Sequence, residues 1–420
     1  MEINQVSEIK MSIPFSPPYI DQSVFDEVID TLKSGWITTG PKVKALEEEI
    51  KKYAFGEEVL CVNSWTSGAI MVLRWLGIGR DDEVIIPAYT YSATALAVIH
   101  AGGKPVIVDV SKDDFNITAE NIRRAINPRT KAIIPVDFAG WPCNYDEIMR
   151  MIEMDDVASV FSPSSEVQQK LGRILVIADA AHSLGAIYEK NQRSADVTIY
   201  SLHAVKNITT AEGGAICLNL PSPFSNSELY QDMRRMTLNC QTKDALTKSK
   251  AGGWQYDIVG LGMKINMPDI NAAIGLAQIR GYASLLDKRR QIYRTYADAF
   301  SQYDWAVVPV GKDSNRESSY HLFPLRVKGI SEAERNTLIS LLSGKGVAAN
   351  VHFIPLPMLS YFKQLGYSTQ GCPNSLALYE SEISLPIYPQ LADAQLSYVI
   401  ESVVDAYSSL RKNFQYVPLA

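Results

Sequence analysis

Several features that would assign a protein class on sight are scarce or absent in this chain of 420 residues. Its five cysteines (Cys61, Cys143, Cys217, Cys240 and Cys372) are scattered without a CxxC pair. Neither a disulfide framework nor a thiolate metal site is expected, and free buried thiols in a reducing compartment fit best. No run of about 18 apolar residues occurs, and the opening MEINQVSEIKMSIPF has no apolar signal core, so the expectation is a cytoplasmic protein without membrane contact. Histidine is also sparse: there are five, with no HExxH spacing, and no metal is expected. Positive charge is not in excess, because 40 Lys and Arg against 46 Asp and Glu leave a net charge of -6. Nothing gathers nucleic-acid phosphates.

The remainder is an ordinary globular composition, 46% apolar and 20% charged, with a mean hydropathy of -0.05. Short β-rich runs alternate with helical patterns: EEVLCVNS then SGAIMVLRWLGI, DEVIIPAY then SATALAVIHAG, KPVIVDV then TAENIRRAI. Runs such as AIIPV and ILVIADA are apolar almost throughout, as strands covered on both faces are. This predicts an α/β fold with a mostly parallel sheet. The stretch 155–173, rich in Ser, Pro and Gln, reads as a surface excursion. After the helical stretch of about 269–300 the texture changes, predicting a large domain over 1–285, with an N-terminal arm, and a smaller α/β domain over 286–420.

Asp179 closes the apolar run ILVIAD, at the end of a strand, where open parallel sheets hold ligands. Lys206 follows a further run, DVTIYSLH. Read singly, Asp179 is a helix cap and Lys206 a solvated cation. As a pair they match the needs of pyridoxal phosphate: an amine for its aldehyde, and a carboxylate that keeps its ring nitrogen protonated. In CVNSWTSGAIMV the amides of Trp65 and Thr66 fall at a helix start that favours a phosphate, or the segment is a plain cap. Ser201 offers a hydroxyl, and Tyr91 in IPAYTYSATA an aromatic plane. His100 reads as a helix-end residue and His203 as packing beside the lysine strand, while His321 either approaches a substrate or begins a strand.

Taken in order, SGWITTGP, VNSWTSGAI, PAYTYSAT, PVDFAG, ADAAHSLGA, SLHAVKNITTAEGG, MKINMPDINAAIG and VHFIPLP resemble the successive blocks of the DegT/StrS family of nucleotide-sugar aminotransferases. The likeness runs from about residue 12 to 405 and is greatest to the enzymes that make UDP-4-amino-4-deoxy-L-arabinose and UDP-4-amino-4,6-dideoxy sugars. It implies a fold type I pyridoxal-phosphate transferase, with L-glutamate as donor, a nucleotide-linked keto sugar as acceptor, and a homodimer whose active sites lie at the subunit interface. By matching position it makes Lys206 the lysine that binds the cofactor, Asp179 the partner of the ring nitrogen and His182 a group beside the ring. Tyr91 would stack, and Trp65, Thr66 and Ser201 would hold the phosphate, joined by Asn266 from the other subunit. Gly35, Trp36, Ile37 and Thr38, with His352 and Phe353, would border the sugar. Asn239-Cys240 stands where relatives commonly read HG, which leaves substrate choice open: a 3-keto sugar or a cyclitol ketone would use the same cofactor blocks. One branch replaces the lysine by histidine and dehydrates sugars, and Lys206 argues against it here. A regulatory member without turnover would not need Lys206 and Asp179 intact. The chain also shows no arginine motif of the kind that clamps a substrate carboxylate.

Overall fold

The computed structural model describes residues 11–189, 192–243 and 254–414. The first ten residues of the expected N-terminal arm and the last six of the expected C-terminal domain lie outside them. The apolar runs form β1 (Glu58–Val62), β2 (Glu83–Pro87), β3 (Lys104–Val108), β4 (Thr130–Ile133) and β5 (Leu175–Asp179). Beyond the short β6 (Ile187–Tyr188) come β7 (Val197–Ser201) and β8 (Gly214–Leu218). Seven of these strands make one sheet in the order β1-β8-β7-β5-β4-β2-β3. The pairings from β3 through β7 are parallel, and β8 runs against both its neighbours. The turn 202–213 joins β7 to β8 without the crossover helix that usually links parallel strands, and β8 returns antiparallel.

Alternation along each strand feeds two cores. Leu60 and Val62 of β1 pack on the side of the helices Trp65–Trp75 and Ser92–Ala101. Val59 and Cys61 face the helices Pro41–Ile50 and Asp269–Arg280. All five cysteines are buried and free.

The later strands, β9 (Ala306–Val307), β10 (Arg316–Glu317), β11 (Phe323–Val327) and β12 (Glu382–Leu385), pair as β12-β11-β9 and β10-β6. Tyr296, Phe300, Phe323, Ile383 and Val403 build a further core there, which Ile13 joins from the start of the chain. The helix Tyr282–Phe300 serves both regions, since Tyr282 and Leu285 enter the sheet's core and Leu286 onward the other.

Two segments singled out in the sequence gain structural detail. The stretch 155–173 contains the helices Asp155–Ala158 and Glu166–Leu171 and is anchored to the body. Gln168 is fully buried with its amide on Leu76 O at 3.1 Å, and Ser164 Oγ reaches Asp82 at 3.0 Å. Most residues of the stretch are exposed, and these two polar side chains tie the surface segment to the Leu76 carbonyl and the Asp82 carboxylate. At the Asn239-Cys240 departure both residues are left-handed, φ 58° and 54°, a conformation that favours glycine. Among the described residues no helix is long and apolar enough to cross a membrane.

Candidate active site

Because the parallel strands share a direction, their C-terminal ends lie on one edge of the sheet, where β5 delivers Asp179 and β7 delivers Ser201. The opposed β8 begins on that edge, at Gly214. A cavity of about 510 Å³ opens there. Lys206, Asp179 and His182 line it, as do Trp65, Thr66, Tyr91 and Ser201, and the second region supplies His321, His352 and Phe353.

The turn 202–213 explains a lysine set among threonines and glycines. Lys206 N donates to His203 O at 2.9 Å and Thr210 N to Leu202 O at 2.9 Å. Thr209 Oγ1 donates to Leu202 O at 3.1 Å and accepts from Ala211 N at 2.8 Å, while Thr210 Oγ1 donates to Glu212 O at 2.8 Å. The hydroxyls thus satisfy a tight turn from within and leave the lysine side chain to the cavity. Gly214 is needed for close approach: a Cβ there would lie 2.7 Å from Ser64 C and from Trp65 N. This contact seats the turn against the first residues of the helix Trp65–Trp75, whose cap is Ser64, accepting from Ser67 N.

Burial governs the charges. It pushes the Asp179 carboxyl up to about 7 against the pull of Thr94 Oγ1, which donates at 2.7 Å, of Ala181 N at 3.3 Å and of Lys206. It pushes the Lys206 amine down to about 8, opposed by Asp179. Burial and the lysine charge hold His182 and His321 well below the ordinary imidazole range, so both are neutral. Their rings lie 4.4 Å apart. His182 Nδ1 accepts from Ala139 N at 3.3 Å, which places its hydrogen on Nε2. Asn207 uses its amide nitrogen on Ser319 O at 2.9 Å, so its oxygen accepts from His321 Nδ1 at 2.8 Å. Asp137, pushed up to about 6 by burial, accepts from Ser183 Oγ at 2.6 Å, Tyr145 Oη at 2.8 Å and Cys143 N at 2.8 Å, fixing the floor of the cavity.

Gly35, Trp36, Ile37, Thr38 and Asn266 do not line this cavity. They gather elsewhere, because the start of the helix Asp269–Arg280 captures the loop. Asp269 N donates to Thr38 O at 3.2 Å, Ile270 N to Ile37 O at 3.4 Å, and Asn266 Nδ2 to Thr39 Oγ1 at 2.5 Å. His203 does not pack beside the strand. The chain has already left β7, so His203 is exposed on the rim, 3.6 Å from Glu212. His100 sits in the last turn of the helix Ser92–Ala101.

Besides Asp137, contributors to the cavity that sequence reasoning missed include Thr94, Phe15 and Ser16. Thr94, three residues past Tyr91, bonds Asp179, and an i+3 spacing from a strand-end aromatic was the available signal. Phe15 and Ser16 arrive on a strap: Ile13 N bonds Gly346 O at 2.8 Å, Ser16 Oγ bonds Val205 O at 3.4 Å, and Tyr19 O accepts from Gln278 at 2.6 Å. No local pattern signals contacts made across so much intervening chain.

Residues 18–404 match the DegT/DnrJ/EryC1/StrS aminotransferase family. The chain is 36% identical over 405 residues to the uncharacterized protein MJ1066 of Methanocaldococcus jannaschii, covering 94% of this chain and 99% of that protein. It is 33% identical over 401 residues to the spore coat polysaccharide biosynthesis protein SpsC of Bacillus subtilis, covering 94% and 96%. The PLP-form of the putative sugar aminotransferase Spr1654 from Streptococcus pneumoniae superposes with a TM-score of 0.90 at 40% identity, covering 95% of this chain and all of that one. Fold and family together define a pyridoxal-phosphate-dependent aminotransferase. The chain belongs to the DegT/DnrJ/EryC1/StrS aminotransferase family.

Proposed function

We propose that this protein transfers an amino group from L-glutamate to the ketone of a nucleotide-linked sugar, at sugar carbon four, in the cytoplasm. The observation that carries the reading is the joint presence of Lys206 and buried Asp179 in one cavity, beside a helix start suited to phosphate. The residues fit pyridoxal phosphate: Lys206 would hold its aldehyde carbon, Asp179 its ring nitrogen and Tyr91 its ring face. The amides of Trp65 and Thr66 and the Ser201 hydroxyl would take its phosphate. Bound there, the cofactor supplies an electron sink for a carbanion formed next to nitrogen.

The chain's own groups supply the rest. An amine pushed down to about 8 takes up and returns a proton at Nζ near neutral pH, the condition for general acid-base work. Neutral His182 and His321 present hydrogen-bonding edges without adding charge beside Lys206. His352 and Phe353 close the side where a sugar would lie, and names such as that of Spr1654 support a sugar as the acceptor. Gly35–Thr38 and Asn266, clustered outside their own chain's cavity, are assigned to the cavity of a second copy in a homodimer.

The test treats the enzyme with glutamate and then offers UDP-, GDP- and dTDP-linked 4-keto sugars, a 3-keto sugar, a cyclitol ketone and ordinary 2-oxo acids. Return of the starting cofactor spectrum with a nucleotide-linked 4-keto sugar, and an amino product by mass, is expected. Response to 2-oxo acids alone overturns the sugar reading.

A further inference from the structure

His352 is held on three sides. Phe15 stacks on its ring at 5.4 Å and 24°. Its backbone N–H donates to Glu382 Oε2 at 3.0 Å, and its Nδ1 lies 2.8 Å from Ser384 Oγ. Ser384 Oγ in turn bonds Glu382 Oε1. Glu382 and Ser384 stand two residues apart on β12, so they share one face of the strand, and both are fully buried. A carboxyl, a hydroxyl and an imidazole thus form a chain with Nε2 as its outer end, on a residue that lines the cavity. Among the described residues no hydrogen bond reaches that nitrogen.

We propose that Glu382 and Ser384 are positioning residues that order the proton on His352, so that the state of the carboxyl sets whether Nε2 offers the sugar a lone pair or a hydrogen. The ligand half of this rests on the sugar reading above. The logic is one of donors and acceptors. A carboxylate only accepts, so the Ser384 hydrogen goes to Oε1, Oγ must accept from Nδ1–H, and Nε2 keeps its lone pair for a sugar hydroxyl. A protonated carboxyl donates to Oγ instead, the hydroxyl hydrogen turns to Nδ1, and Nε2–H faces the sugar as a donor. The backbone N–H of His352 stays on Oε2 in both states.

The groups around Glu382 put this exchange within reach. Arg335, from the helix Glu332–Gly344, donates to Glu382 O at 3.3 Å and favours the carboxylate, with Glu332 3.8 Å away from its guanidinium. Tyr89 and Tyr379 face this cluster as phenols held above their ordinary range by burial. Arg326, the register partner of Glu382 on β11, turns away to the carbonyls of Lys112 and Asp113. Burial outweighs the donors and pushes Glu382 up to about 8. Burial and Lys206 push His352 down to about 3, so its ring remains neutral throughout.

The tautomer of His352 in the cofactor-loaded enzyme, uniformly labelled with 15N-histidine, reads the relay directly from two-bond nitrogen-proton correlations, with His352→Gln assigning the signal. The wild type is expected to pass from Nε2–H to Nδ1–H as pH rises, with a midpoint near 8. Glu382→Gln, whose oxygen keeps the His352 N–H and whose amide hydrogens go to Ser384, should stay Nε2–H at every pH. Ser384→Ala should abolish the exchange and Ser384→Thr restore it. In kinetics, Ser384→Ala should raise KM for the keto sugar about 5- to 10-fold, the loss of one hydrogen bond, with the glutamate half-reaction unchanged. Normal sugar turnover together with a tautomer indifferent to Glu382→Gln overturns the relay alone. Tautomer exchange in an enzyme that aminates no keto sugar overturns the ligand half and the proposed function with it.

Discussion

Replacing Thr94 by valine tests how the buried carboxylate is held. Asp179 is 5% exposed and has two donors: Thr94 Oγ1 at 2.7 Å and the longer Ala181 N at 3.3 Å. Valine keeps the shape and deletes the shorter bond. A hydrogen bond to a charged group contributes about 2 kcal/mol, and burial already pushes Asp179 up to about 7. Loss of the donor raises it further, so ionising the carboxyl to meet a protonated ring nitrogen costs more. At 1.4 kcal/mol per tenfold, cofactor affinity should fall by about 30-fold. Thr94→Ser keeps the hydroxyl and should recover most of the loss. Equilibrium dialysis of pyridoxal phosphate against the three proteins gives the affinities, and thermal denaturation of the cofactor-free forms checks that folding is intact. Affinity within twofold of wild type for Thr94→Val, or an equal loss in Thr94→Ser, would refute the reasoning.

Asp179→Ala should lower turnover far more than Tyr91→Ala if, as proposed, the first removes the partner of the ring nitrogen and the second only a stacked ring; the two rates measured side by side decide it. In the cofactor-free enzyme an amine-directed acylating reagent should modify Lys206 with a pH midpoint near 8, since burial lowers an amine and leaves more of it unprotonated at neutral pH than in a free lysine; peptide mass spectrometry reads this, and a midpoint above 10 contradicts it. Mixing inactive Lys206→Ala with inactive Asn266→Ala should regain up to about a quarter of wild-type activity, because in the proposed homodimer one site of each mixed pair would have both its own lysine and its partner's asparagine. Were Asn266 to serve its own chain, mixing would restore nothing.

Most of the site was legible because its residues stand at strand ends. An apolar run that stops at Asp179, and another followed by Lys206, already place both side chains on one edge of a parallel sheet. The pairing of β8 was less legible, since an apolar strand looks alike in either direction and only the short turn 202–213 sets it. Contacts distant in sequence left no trace: the strap that brings Phe15 to His352, and the hydrogen bond between His352 and Ser384, join residues that no periodicity connects. At 155–173 the Ser, Pro and Gln content marked a surface segment but hid its two short helices and the bonds by which Gln168 and Ser164 anchor it. His203 was misplaced because two residues of turn suffice to carry a side chain off the strand.

The most direct measurement asks which amine the cofactor occupies. Borohydride reduction of the cofactor-loaded enzyme, followed by digestion and mass spectrometry, should place a single phosphopyridoxyl group on Lys206, in the peptide that contains SLHAVK. Lys206→Ala should fold normally and carry no label. A label on any other lysine, or full labelling of Lys206→Ala, would contradict a site built around Lys206 and Asp179.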